Sequence, residues 1–253
     1  MAGYGSLGRY GVGTPQANPT VEVEFTTLLP RAAALYTTRL TSPVVDSLGR
    51  LEDYLVRLDD YLASYDLLQL DAFGFACTGA SYLVGREREL EIIEACSAAR
   101  GYPVITAADA IVWALEKLGA RRVAVLAPYP DTLVQAGKVY FENRGLTICA
   151  HARVETRTTD TRSIYELGWE TAQAKLAQFD LGDADVILLS GTGMPTLPLV
   201  DTMARRPVIS SNLCLAARML DAAGRGEALL EAVLEPKGFR ARLNETLGLG
   251  AAA

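Results

Sequence analysis

Short apolar blocks recur along the chain, separated by longer stretches in which apolar and polar positions alternate at helical spacing. The blocks Tyr10–Thr14, Leu67–Phe75, Pro103–Thr106, Arg122–Ala127, Leu146–Ala150, Val186–Ser190 and Pro207–Ser210 read as buried strands. Between them, Leu48, Leu51, Leu55, Leu58 and Leu62 recur three and four residues apart, the stripe of an amphipathic helix. Further helices are expected from Glu22 to about Tyr36, from Arg86 to Gly101, and up to Lys117 with a stop at Gly119. Others are expected over Thr132–Asn143 before Gly145, Ser163–Phe179, Leu213–Ala223 and Glu227–Leu234. Strand and helix alternate throughout, which predicts an α/β protein with parallel sheets covered by helices.

The pattern occurs twice. Tyr10-Gly-Val-Gly-Thr-Pro15 parallels Val123-Ala-Val-Leu-Ala-Pro128, and Cys77-Thr-Gly parallels Gly191-Thr-Gly. Pro103-Val-Ile-Thr with its helix to Gly119 parallels Pro207-Val-Ile-Ser with its helix to Gly224. Three matches in the same order indicate a duplicated unit. Two lobes related by a pseudo-twofold axis would then place both small-residue turns in one cleft. The first lobe is expected at 1–119, with a C-terminal helix within 212–253 packing back on it, and the second at 120–211.

Composition narrows the setting. Of 253 residues, 50% are hydrophobic, 21% are charged, and the net charge is -6. This mildly acidic balance, without a basic cluster, argues against nucleic acid and anionic membrane surfaces as partners. No apolar run has the length of a membrane span, and the first residues lack the pattern of a signal peptide. The cysteines at 77, 96, 149 and 214 form no CxxC, which fits a reducing compartment and a cytoplasmic location. Gly3, Gly5 and Gly8 spell GxGxxG, but no strand precedes them and no helix follows, so they read as a chain terminus.

Cys77 leads the candidates for chemistry. It ends an apolar run and meets Thr78-Gly79, a strand-to-helix turn whose N–H groups favour negative charge and lower a thiol pKa. The competing reading is a buried structural cysteine, the role expected for Cys96 and Cys214 in helices and Cys149 in a strand. His151, the only histidine, ends a strand with no motif around it and reads as a surface or satisfied residue. No metal-binding motif and no GxxxxGK[ST] loop is present, so any reaction is expected to need no cofactor. The turns at Thr78-Gly79 and Thr192-Gly193 suit carboxylate oxygens, and the repeat brings Asn18 and Tyr129 toward the same cleft. Two anion-binding turns facing one thiol point to a small dicarboxylic acid. Arg157 and Arg162 read as solvated loop charges and stay outside the site.

These residues resemble the Asp/Glu racemase superfamily, in the branch of maleate cis–trans isomerases and arylmalonate decarboxylases. The resemblance rests on Gly-Val-Gly-Thr-Pro15 with Asn18-Pro-Thr-Val-Glu22, Ala-Cys77-Thr, Ala-Pro128-Tyr129, Leu-Leu-Ser190-Gly-Thr-Gly193 and Pro207-Val-Ile-Ser-Ser211. It implies two pseudo-symmetric Rossmann-like lobes, each a mostly parallel four-stranded sheet flanked by helices, with the active site between them. It also implies a homo-oligomer, most often a dimer. Carried over, Cys77 is the nucleophile and Asn18 and Tyr129 hold carboxylates. Gly191 stands where isomerases and racemases carry a second cysteine, and Gly79 replaces a serine. Two-base racemisation needs groups on both faces of a carbon, so a racemase is disfavoured. Cis–trans isomerisation by thiolate addition ranks first, decarboxylation of substituted malonates second, and non-catalytic binding of a small acid third.

Overall fold

The computed structural model of the chain describes residues 4–200 and 206–224. Its strands form two four-stranded sheets, and every pairing within them is parallel. In the first sheet, β1 (Arg9–Pro15), β2 (Ala34–Leu40), β3 (Ala72–Phe75) and β4 (Val104–Thr106) run in the order β2-β1-β3-β4. In the second, β5 (Arg122–Ala127), β6 (Thr147–Arg153), β7 (Val186–Leu189) and β8 (Val208–Ser210) run in the order β6-β5-β7-β8. The same winding in both halves is the structural form of the sequence repeat. The central strands Ala-Phe-Gly-Phe and Val-Ile-Leu-Leu are buried along their whole length, as parallel strands covered on both faces must be. Each fully buried Phe or Leu stabilises the fold by roughly 1.5–3 kcal/mol relative to exposure. That exceeds the roughly 0–1 kcal/mol of a surface ion pair such as Arg88–Glu91.

Local chemistry explains where the structure departs from the sequence expectation. The helix expected to reach Tyr36 is α1 (Val21–Leu28) and stops before Leu29-Pro30, where Leu29 is extended (φ -76°, ψ 150°). A residue preceding proline is excluded from the helical region. The Leu-Tyr-Thr-Thr run beyond it then forms β2, a strand the periodicity did not reveal. The leucine stripe forms two helices, α2 (Ser47–Val56) and α3 (Leu58–Leu62), broken at Arg57. The strand expected from Leu67 begins only at Ala72. Before it, Asp66 adopts a positive φ and the Asp71 carboxylate accepts the Arg9 N–H at 2.8 Å, fixing a turn.

After Cys77 come α4 (Thr78–Val84) and α5 (Arg86–Arg100), the latter ended by Gly101 in the left-handed region. The helices α6 (Ala107–Lys117) and α7 (Asp131–Glu142) match expectation within one residue of their bounds. Ser163–Phe179 is split into a 3-10 turn (Thr161–Glu166) and α8 (Trp169–Ala177), with extended Leu167 and Gly168 between them. The last described helix, α9 (Ser211–Ala222), leaves β8 and packs on the first lobe, with Leu215 and Met219 against Gly74 of β3. The expected helix Glu227–Leu234 lies outside the described residues. Cys96 and Cys214 are buried, whereas Cys149 is only half-buried because β6 is a sheet edge. Among the described residues, no helix is long and apolar enough to cross a membrane.

Candidate active site

The strands β1, β3, β5 and β7 all deliver their carboxyl ends to one cleft between the lobes, the location where open α/β sheets bind ligands. Every residue expected in the site lies on a loop leaving one of these four strands or on the first turn of α4.

Cys77 is the N-cap of α4, with extended backbone (φ -150°, ψ 90°) and 5% exposure. Thr78 Oγ1 shares a hydrogen bond with the Tyr129 hydroxyl, joining the loops after β3 and β5. The Thr192 hydroxyl donates to the Ala76 carbonyl at 2.8 Å, tying the β7 turn to the residue beside Cys77. The Thr20 hydroxyl donates to the Gly193 carbonyl at 2.8 Å, drawing in the Asn18 loop. Both threonine hydroxyls expected to face a ligand are thus engaged in bonds between the lobes. Likewise, the Gly191 N–H donates to Ser211 Oγ at 3.0 Å.

Asn18 differs. Its Oδ1 accepts the Thr20 N–H at 2.9 Å, while its buried Nδ2 has no partner among the described residues. Such an orphaned donor calls for a ligand or a water, and it belongs to the residue that the resemblance assigns to a carboxylate.

Gly191 adopts φ +121°, and a Cβ there would lie 3.2 Å from Pro128 Cδ. A side chain at this position, a second thiol included, is opposed by backbone strain. At Gly193 the missing Cβ lets the Tyr165 ring close over the turn; a Cβ would come within 2.6 Å of Tyr165 Cε1.

Beneath the β7 turn lies a buried carboxylate. Glu24, on α1 of the first lobe, accepts the N–H groups of Thr196 (2.6 Å) and Leu197 (3.1 Å) and the Asn212 amide (2.7 Å). Asn212 Nδ2 also donates to the Thr192 carbonyl at 3.0 Å. Burial raises the Glu24 pKa, and these donors oppose the rise.

A cavity of about 260 Å³ opens beside this site, lined by Gln16, Arg50, Leu51, Tyr54, Arg162 and Tyr165 among others. Arg50, Tyr54 and Tyr165 on this cavity wall and Glu24 beneath the β7 turn are residues that sequence reasoning did not single out. A polar residue between helical leucines reads as solvated, and nothing local distinguishes Arg50. Arg157 and Arg162 do carry exposed side chains, paired with Glu166 and Asp160, but Arg162 also forms part of the cavity wall. His151 lies on β6 and lines a different cavity with Lys138 and Cys149.

Burial pushes the Cys77 thiol up to about 12, against the opposing pull of the Ala80 N–H, the Arg50 guanidinium and the Gly79 N–H. Burial likewise raises Tyr129 and Cys214. For each group the folded pKa exceeds the unfolded one, so the unfolded chain releases protons first as pH rises. Stability from these groups is therefore complete below about pH 9 and is lost as pH climbs toward 12. We expect Tm to fall steeply above pH 9, and the fall to be shallower in Cys77→Ala. Thermal unfolding from pH 7 to 11 checks both, and parallel curves for the two proteins would contradict the assignment.

A buried thiol at the end of β3 and an unpartnered buried amide on the loop after β1, between duplicated parallel-sheet lobes, define a two-lobed α/β protein with its candidate site in the cleft. The chain belongs to the arylmalonate decarboxylase family, whose model matches residues 66–230. A maleate isomerase of Nocardia farcinica is 30% identical over 217 residues, spanning 80% of this chain and 85% of that protein. A maleate isomerase of Pseudomonas putida is 26% identical over 235 residues, spanning 85% and 92%. Among solved structures, a cysteine-to-serine variant of the Nocardia farcinica maleate cis-trans isomerase with a covalently bound succinylcysteine intermediate superposes with a TM-score of 0.76. It is 25% identical and covers 88% of this chain and 97% of that one.

Proposed function

We propose that this chain is a cofactor-independent cis–trans isomerase of a small unsaturated dicarboxylic acid of the maleate type, with Cys77 as its nucleophile. The observation that carries this reading is the placement of the one cleft thiol at the start of α4, against the Gly79 and Ala80 N–H groups. It is supported by the two relatives named maleate isomerase.

At rest the thiol is protonated, so the reaction begins as its proton passes to a carboxylate of the bound diacid and the sulfur attacks; the same proton returns to the sulfur when the C–S bond later breaks. A C–S bond forms at one alkene carbon, and the π pair moves onto the other carbon and its carboxylate. Hydrogen-bond donors aimed at that enediolate stabilise it; Asn18 Nδ2 and the Tyr129 hydroxyl fill this role. The former double bond is now single and rotates. The electron pair then re-forms the double bond, the C–S bond breaks, and the trans acid departs. Nothing is oxidised or reduced, and no second thiol takes part. In the Nocardia relative, the succinylcysteine is carried by a variant in which a cysteine has been replaced by serine. An adduct on one cysteine of a variant that lacks another supports addition by a single sulfur.

Proton NMR of maleate incubated with the protein in deuterated buffer tests the reading: fumarate signals are expected to grow without added cofactor. Unchanged maleate, with carbon dioxide released from substituted malonates instead, would replace isomerisation by decarboxylation with Cys77 as proton donor. Tyr129→Phe removes one carboxylate partner and leaves Thr78 Oγ1 without its hydroxyl contact. A charge-assisted hydrogen bond is worth about 1.5–3 kcal/mol, and one that strengthens on the enediolate acts in the transition state, so kcat/KM for maleate should fall about 10–100-fold with most of the loss in kcat. Steady-state kinetics read both, and an unaltered kcat/KM would remove Tyr129 from the site.

A further inference from the structure

Arg50 is a buried cation without a close counter-ion. Its side chain is 9% exposed and engages the neutral Tyr54 hydroxyl, but its approaches to an anion and to a carbonyl are long, 3.3 Å to Asp160 and 3.4 Å to the Val45 oxygen. Both lie at or beyond the long end of hydrogen-bond geometry. Asp160 is itself committed elsewhere: Arg162 grips its carboxylate through Nη2 at 2.6 Å and Nε at 3.1 Å, holding its pKa down at about 2. A buried guanidinium costs free energy unless it is paired, so the weak pairing of Arg50 needs a reason.

The cavity supplies one. Arg50 and Arg162 both line it, with Tyr54 and Tyr165, so its polar wall is cationic and aromatic. Two of its lining residues touch the candidate site directly. Leu51 Cδ1 lies 3.0 Å from the Cβ position of Gly79, and Tyr165 covers Gly193. The cavity is thus one side-chain layer away from the two turns that face the substrate. Maleate carries only two carboxylates, and the isomerase reading already assigns these to Asn18 and Tyr129.

We propose that Arg50 makes this cavity a subsite for an anionic substituent of the substrate, so that the preferred acid is a maleate bearing a further carboxylate. The proposal rests on the isomerase reading for its chemistry, and on the position of Arg50 for its specificity. The planar guanidinium matches a carboxylate in a two-point contact that Lys cannot reproduce. The incoming carboxylate takes the place of the long bond to Asp160, which remains neutralised by Arg162.

The test compares maleate with 2-(carboxymethyl)maleate (cis-aconitate) on the wild type, Arg50→Gln and Arg50→Lys. The wild type should show the higher kcat/KM for the triacid. In Arg50→Gln the ratio of the two values should fall about 10–100-fold, the range of a lost charge-assisted pair; in Arg50→Lys it should fall less. A second measurement needs no turnover: protection of Cys77 from iodoacetamide by each acid, scored by peptide mass spectrometry. The triacid should protect at lower concentration than maleate, and Arg50→Gln should lose that advantage. Equal preference in wild type and Arg50→Gln, or no preference for the triacid in the wild type, overturns the subsite. Arg50-dependent protection without conversion of either acid upholds the subsite and overturns isomerisation. Circular dichroism of both variants separates a lost fold from a lost contact, and Arg50→Lys retains the charge should Arg50→Gln not fold.

Discussion

Replacing Cys77 with alanine should abolish conversion of the substrate, lowering kcat by more than about 10⁴-fold, the scale on which removal of a covalent nucleophile acts. Binding should survive. The Asn18 amide and the Tyr129 hydroxyl do not depend on the sulfur, so calorimetry with maleate should give a Kd close to the wild-type KM. The fold should survive as well, because a cysteine-to-alanine change at this buried position removes one sulfur atom and costs no more than about 1–2 kcal/mol. Cys77→Ser gives a sharper comparison. It keeps a hydroxyl at the start of α4 but supplies a far weaker nucleophile, and it should be nearly as inactive. Wild-type turnover by Cys77→Ala would end every argument built on the cleft thiol.

Glu24→Ala should cause the largest loss of stability, about 3–5 kcal/mol in urea unfolding followed by circular dichroism. The carboxylate satisfies two backbone N–H groups and the Asn212 amide in a site with no water-exposed alternative. Each buried donor left unpaired costs about 1–3 kcal/mol, and these donors belong to the segment that carries the β7 turn. The same variant should raise KM, since Asn212 would lose the partner that aligns it with the Thr192 carbonyl. Glu24→Gln keeps the shape and one acceptor oxygen but turns an NH₂ toward the N–H groups, and should fall between the two. A loss under 1 kcal/mol for Glu24→Ala would show that the segment is held by its own packing.

How much of this was legible in the sequence follows from how local each feature is. The runs Ala-Phe-Gly-Phe, Arg-Val-Ala-Val-Leu-Ala and Val-Ile-Leu-Leu are buried along nearly their whole length, so their apolar continuity marked them without knowledge of neighbours. Strand β2, with the sequence Ala-Leu-Tyr-Thr-Thr-Arg-Leu, lies at a sheet edge and is largely half-buried or exposed. Its polar residues hid it, and only the break imposed by Pro30 separates it from α1. The placement of Cys77, Asn18, Tyr129 and Gly191 just beyond strand ends was legible because the duplication marks those positions twice. Glu24 and Arg50 could not be read this way. Their partners lie 188 and 110 residues away, in the other half of the chain, and no local pattern encodes a contact at that range.

The bonds that cross the cleft also govern traffic through it. Thr192 to Ala76, Thr20 to Gly193 and Glu24 to Thr196 fasten one lobe to the other, the first of them at the residue beside Cys77. A clamshell motion would break all three together, each exchanged for water at a net cost of about 0.5–1.5 kcal/mol. Rotation of a single side chain, such as Leu51 against one turn or Tyr165 against the other, breaks none of these bonds. The three bonds are therefore a latch: any movement that parts the halves must release all of them at once.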